Sequence, residues 1–328
     1  MNIVTILSQP IDIMGPAMRL KSLIPVFALM TNLFLANYSF CEFNAANMRN
    51  NEGFKPILNS FGMKFVYIEP GNLLIKNIAV DSEHREVRIK DINKTIHGFY
   101  LQTTEVTVGQ WKKFASSGSY TNNGANSGCL VRVGTRLGID PESNWSYPGY
   151  KVDDYYPVSC VSWDDANQFA KWLSEVDKCH YRLPIAAEWE YACKAVNGAS
   201  MADDYTMFSA VTNKKFLENR AWFNDNSGNR VHIIAQKQDN KFGLFDMIGN
   251  VNEWCIDSFD LFVGTEFDNI TFISDFPRGG LSINMKIKSV RGCGFDSHQM
   301  TCNCERGFGL NYDTRTYDLG FRLVKELQ

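Results

Sequence analysis

Little in the sequence marks it for nucleic acid or for nucleotide chemistry. The formal charge is −3, from 33 basic and 36 acidic residues, which lacks the basic footprint that nucleic-acid binding needs. No glycine-rich phosphate loop and no nucleophile elbow occur, so phosphoryl transfer and serine-hydrolase chemistry have no motif to rest on. Internal repeats and low-complexity tracts are missing too, and the five histidines are scattered. The apolar run Leu23–Ala36 is shorter than the roughly 20 residues a membrane-spanning helix requires.

What is present is the composition of a soluble globular chain. Of 328 residues, 45% are hydrophobic and 21% charged, enough for a sizeable core in one large domain or two modest ones. Aromatics are plentiful, with 7 Trp, 13 Tyr and 23 Phe, and buried rings can rigidify long irregular loops.

The N-terminus reads as a targeting segment. Arg19 and Lys21 precede the apolar run, the order of a charged and then a hydrophobic signal-peptide region. Residues 1–41 are therefore assigned to a signal peptide, with Met18 as an alternative start; a buried helix is the competing reading. Cys41 is a candidate for lipidation, although Phe40 before it is large, and plain cleavage after Cys41 is equally compatible. Residues 42–61 read as a polar linker, and 62–328 as the folded domain. Export bears on the thiols: nine cysteines less Cys41 leave eight, an even set that can pair in an oxidising compartment. Cys129 and Cys160 flank a long loop, and a disulfide between them would stabilise by about 2–4 kcal/mol; two buried thiols are the alternative. Cys193 and Cys255 sit among apolar residues and read as core.

Along the chain, "MKFVYIEPGNLLI" gives strand signals around a Pro70-Gly71 turn. Thr107 with Gln110 makes a capping box for a following helix. Asn122–Tyr156 has no sustained period and reads as a long ordered loop, a kind of segment that is usually functional. "SWDDANQFAKWLSEV" starts a helix with Ser162 and Asp165 and repeats Ala166, Phe169, Ala170, Leu173 and Val176 at helical spacing. "PIAAEWEYACKAV" places Ile185, Trp189, Ala192, Cys193 and Val196 on one face after Pro184. The remainder is short strands, glycines and long connections.

Taken together, "GFYLQTTEVTVGQW", "YPVSCVSWDDANQFAKWLS", "YRLPIAAEWEYACKA", "NKFGLFDMIGNVNEWCID" and "VRGCGF…LGFRLV" resemble, in order, the formylglycine-generating enzyme family, also called sulfatase-modifying factors. The resemblance implies an α+β, C-type-lectin-like fold with little regular secondary structure and long ordered loops. Fold alone does not give function. The family's calcium site maps onto the side chains of Asp246 and Glu253 and the carbonyls of Gly249 and Val251, a mixture of hard oxygens that calcium favours; capping or pairing with arginines is the other role open to these two carboxylates. A second family calcium site near Asn219 and Arg220 is not expected, because the loop after it is short.

The enzymes of this family hold copper(I) between two thiolates five residues apart, since soft ligands select that ion. The later thiolate maps onto Cys302 and the earlier onto Ser297, a hard hydroxyl. Gly294 replaces a serine of the oxygen pocket and Asn252 replaces an aromatic. Cys302 is thus the one retained thiol at a catalytic position, with Cys304 or Cys293 as conceivable partners. No histidine cluster supports the sulfoxide-forming chemistry of iron-binding relatives.

Two functions compete. The first is a calcium-stabilised binding module, or a degenerate relative, that takes a protein or glycan ligand on a surface including Phe295, Asp296, His298, Phe308, Tyr312 and Tyr317, a mixture suited to adaptable recognition. The second is an active oxidase that uses copper and oxygen to convert a substrate cysteine to formylglycine. Copper is expected only under the second, and a monomer under either. The location is periplasmic, secreted or envelope-anchored.

Overall fold

The computed structural model describes residues 49–50, 53–75, 78–80, 86–88, 91–121, 128–134, 136–195, 214–259 and 286–327. The stretch read as a signal peptide, Cys41 and Val196 lie outside the described residues. Five strands form one antiparallel sheet: β1 (Ile57–Leu58), β2 (Lys64–Ile68), β5 (Phe99–Gln102), β8 (Tyr181–Arg182) and β13 (Val324–Lys325), in the spatial order β8-β13-β5-β2-β1. Its second and third strands in that order join the two ends of the domain, Val324 lying opposite Leu101. Ile57 pairs with Phe65, so the end of the stretch read as a linker belongs to the sheet. Between β2 and β5, β3 (Gly71–Ile75) and β4 (Ile92–Ile96) make an antiparallel pair.

A second sheet holds β9 (Asn252–Ser258), β10 (Ile287–Arg291), β11 (Gly307–Asn311) and β12 (Leu319–Gly320), in the order β11-β10-β9-β12. The β9–β12 pair is parallel and matches Asn252 with Leu319. The stretch read as a long loop contains a hairpin instead, β6 (Cys129–Val133) and β7 (Arg136–Asp140). Cys129 and Val131 are buried, but Val133 and Ile139 are 65% and 70% exposed, so the buried face is too short to impose an alternating pattern along both strands.

Three helices begin as local chemistry dictates. α1 (Val108–Ala115) starts at Thr107, whose hydroxyl accepts from the Gln110 amide while the Gln110 side chain accepts from the Thr107 amide. α2 (Trp163–Asp177) repeats the device with Ser162 and Asp165. Each such cap contributes about 1 kcal/mol. α3 (Ala186–Lys194) lacks a hydroxyl cap; the Glu188 carboxylate accepts from the Ile185 amide and Asp257 accepts from Ala186. The apolar faces of α1 and α2 meet in an aromatic cluster. Trp111 stacks on Phe169 at 5.6 Å, Phe114 meets Phe169 edge-on, and Phe321 closes the group. Arg322, the residue after Phe321, is fully buried as well, and its partner defines the centre of the molecule.

Candidate functional site

The glycine-asparagine signature is a tight turn on left-handed backbone. Asp246, Gly249 and Asn250 have φ of 54°, 88° and 61°. Gly249 is obligatory, because a Cβ there would run into the backbone of Trp222. The Asn250 side chain bridges neighbours, accepting from the His232 amide at 2.9 Å and donating to Glu105 at 3.1 Å.

Glu253, expected as a calcium ligand, is already spent. Its Oε1 accepts from Arg322 Nη2 at 2.7 Å, and its Oε2 accepts from Arg322 Nε and Trp189 Nε1, each at 2.8 Å. Arg322 also donates to the Phe245 and Gln102 carbonyls. Asp246 Oδ2 accepts from the Ala235 amide, which leaves its Oδ1 as a buried oxygen without a partner, alongside Glu105 Oε2. Burial raises the proton affinity of Asp246 and Glu105, and neighbouring carboxylates push in the same direction. For Arg322 burial works the other way, but Glu253 and its neighbours hold the guanidinium above its ordinary value. Of the two carboxylates expected at a calcium ion, Glu253 has both oxygens taken by Arg322 and Trp189, and Asp246 keeps one oxygen unpartnered. The cation in their midst is Arg322, and among the described residues no three His, Cys, Asp or Glu side chains are placed to hold a metal. Glu105 and Arg322 lie far from the signature in sequence, and nothing local announced them.

The thiols also differ from expectation. Cys302 is not a free thiol: it is bonded to Cys293, nine residues away. Cys304 is bonded to Cys193 of α3 across 111 residues, so Cys193 is core and cross-link at once. Cys302 and Cys304 therefore point into different bridges and make no soft-metal pair. Cys129 and Cys160 are joined, stapling β6 to the segment before α2. Cys255 is a buried free thiol. Ser297 accepts from the Gly294 amide through its hydroxyl, at 3.1 Å.

Beside Ser297 lies a cavity of about 260 Å³. The hairpin contributes Leu130, Arg132 and Leu137; the loop closed by the Cys293–Cys302 bridge contributes Asp296, Ser297, His298 and Thr301; Asn252 comes from β9. Arg306 and Phe308, with Thr316, Tyr317 and Asp318, complete the wall. Of the expected surface residues, Asp296, His298, Phe308 and Tyr317 line this cavity. Phe295 does not: it is 1% exposed and packs edge-on between Tyr150 and Tyr317. Tyr312 is elsewhere, its carbonyl accepting from Trp163 at the start of α2. Arg132 pairs with Asp296 at 2.7 Å, and the Tyr317 hydroxyl donates to the same carboxylate. Asp318 is 8% exposed. Thr316 Oγ1 donates to its Oδ1 at 2.5 Å and Asn252 Nδ2 to its Oδ2 at 2.8 Å. Burial, then the charge of Asp296, push its proton affinity up to about 6. Arg132, Asp318 and Thr316 were missed in the sequence. The hairpin lacked a periodic signature, and Asp318 stood only as one residue of the final "DLGFR" stretch.

Known proteins resemble the chain over the same region. The sequence profile described as sulfatase-modifying factor enzyme 1-like domain matches residues 58–327. The mouse formylglycine-generating enzyme is 23% identical over 265 residues, covering 71% of this chain and 67% of that protein. A chaperone protein LppX from Paenibacillus barcinonensis is 27% identical over 188 residues, covering 50% of this chain and 64% of that one. The chain thus spans about two-thirds of the length of these relatives. Among solved structures, PvdO from Pseudomonas aeruginosa aligns with a TM-score of 0.59 at 18% identity, over 83% of this chain and 98% of its own. Treponema denticola variable protein 1 aligns at 0.54 and 20% over the same shares. At these identities the structures speak for the fold alone. A profile running through both sheets, together with an α+β architecture of few helices and many short strands, places the chain in the sulfatase-modifying factor family, with the fold of the formylglycine-generating enzymes.

Proposed function

We propose that this chain is an exported family member that works as a binding module through the cavity between the β6–β7 hairpin and the 293–302 loop, and that it does not oxidise cysteine. The observation that carries this reading is the Cys293–Cys302 bond. Copper(I) chemistry of the family type needs two thiolates. Here one position is a serine whose hydroxyl is already bonded, and the other is a sulfur tied up in a disulfide. Export is supported by the disulfides, which persist in oxidising compartments and not in a reducing cytosol. The ligand is proposed to be a glycan and not nucleic acid, because the walls mix hydroxyl, amide, carboxylate and aromatic groups in a chain of slightly negative charge. Calcium has no role in this reading, since Arg322 holds Glu253.

The test is a pair of assays on the full chain expressed with export. Mass spectrometry of a sulfatase-type cysteine peptide, incubated with the protein, copper and oxygen, should show no aldehyde. A glycan array probed with the same protein should show retention that is lost in Arg132→Ala. Conversion of the peptide, abolished by Cys302→Ala, would replace the binding reading with the oxidase.

A further inference from the structure

The charges around the cavity are unevenly matched. Asp296 has a guanidinium counter-ion in Arg132 and a hydroxyl donor in Tyr317. Arg306 lies across the Phe308 ring, with Cζ 5.7 Å from its centre. Asp318 has hydrogen-bond donors but no such counter-ion. Its two oxygens receive a threonine hydroxyl and an asparagine amide, both neutral, and no lysine or arginine among the described residues forms an ion pair with it. Its own backbone amide adds a third neutral donor, which leaves about one of a carboxylate's roughly four acceptor positions open. A buried charge without a counter-charge is costly, and proteins retain one mainly where something is meant to neutralise it. The free energy stored in that arrangement is recovered when a cation arrives from the cavity.

We infer that the cavity takes an amino sugar with a free, protonated amine, and that Asp318 supplies its counter-charge. This rests on the binding reading and narrows it to a ligand class. An ammonium group offers three donors and no acceptor, the complement of an acidic oxygen already holding one neutral donor. The rest of the wall favours a sugar ring over a slender alkylammonium chain. An alkyl stem would want an apolar sleeve, whereas Asn252, Asp296, His298 and Thr301 present hydrogen-bonding groups, and Tyr317 and Phe308 offer ring surface for the apolar side of a pyranose.

The experiment is a set of matched titrations by calorimetry, using the full chain expressed with export. The probes are glucosamine oligomers, glucose oligomers, N-acetylglucosamine oligomers, and lysine amide. Glucosamine oligomers should bind, and the neutral and acetylated twins should bind at least about tenfold more weakly, the usual order for loss of one charge-assisted hydrogen bond. Asp318→Asn keeps the shape and should erase the preference; its melting temperature reports whether it has folded. Equal binding of glucose and glucosamine oligomers, displaced by Arg132→Ala but indifferent to Asp318→Asn, would overturn the amine inference and leave the binding module standing. Tighter binding of lysine amide than of any sugar would overturn the ligand class. Failure of every probe to bind would sink both readings.

Discussion

Arg322 and Glu253 face each other at 2.7 Å with both side chains sealed from solvent. Two further carboxylates, Asp246 and Glu105, help to hold the proton affinity of the same guanidinium above its ordinary value. Arg322 is thus a positive charge that three acids share. Removing one member of a buried pair typically costs about 3–5 kcal/mol, because it strands the other. Arg322→Leu should destabilise the domain by that order in urea unfolding. If the Arg322 guanidinium balances these acids without a divalent ion, chelator should leave the wild-type melting curve unchanged. A large chelator effect, reversed by calcium, would show that the guanidinium does not act alone.

Asp318 sets a pH dependence. Its folded-state proton affinity is raised to about 6 from an ordinary 3.8, chiefly by burial. The protonated form is therefore the one the fold favours. Its contribution is present in full below about pH 4 and is lost as pH rises through 6, on the order of 2–3 kcal/mol for a shift of this size. Asp318→Asn should consequently be more stable than wild type at pH 8 and equal to it or weaker at pH 4. Urea midpoints at the two pH values measure this, and a variant less stable than wild type at pH 8 would contradict it.

Gly294 is fitted to that same carboxylate. A Cβ there would stand 2.8 Å from Asp318 Oδ2 and 3.0 Å from Asn252 Nδ2. Gly294→Ser should cost about 1–3 kcal/mol by overpacking, and Asp318→Ala should relieve most of it in a double-mutant cycle. Ser297→Cys, in contrast, should not create a copper(I) site in the oxidised protein, since Cys302 is bonded to Cys293. Copper(I) titration with a thiol count distinguishes the cases.

The Cys193–Cys304 and Cys293–Cys302 bridges should differ in their contribution to stability. Closing a long loop removes more unfolded-chain freedom than closing a short one. Cys193 and Cys304 are 111 residues apart, Cys293 and Cys302 only nine. Cys193→Ala with Cys304→Ala should therefore cost about 3–5 kcal/mol, and the loss from Cys293→Ala with Cys302→Ala should be smaller. Peptide mapping without reduction should recover both linkages, and also Cys129 with Cys160; alkylated free thiols at these positions would refute them.

Local chemistry was legible in the sequence and long-range chemistry was not. Thr107 with Gln110 and Ser162 with Asp165 are partners three residues apart, and a capping box is written in such neighbours. The signature turn was legible for the same reason. The partner of Glu253 lies 69 residues away and that of Cys304 lies 111 away; such pairings are decided by sheet topology, which no short window contains. Cys193 read as core because it is core, and burial hides a disulfide as readily as a thiol. Phe295 looked like a surface anchor because aromatic residues serve both interfaces and cores; only the packing of Tyr150 and Tyr317 around it decides between them.

The Cys293–Cys302 bond turns Asp296, Ser297, His298 and Thr301 into members of a small covalent ring whose base is fixed while its rim faces the cavity. Two residues on, the next bridge ties the chain to α3. Errors in the rim therefore stop at its edge. On the binding reading such a ring works as a cassette: changes at His298 and Thr301 should alter what is recognised, while sulfur and the aromatic core behind it hold the fold.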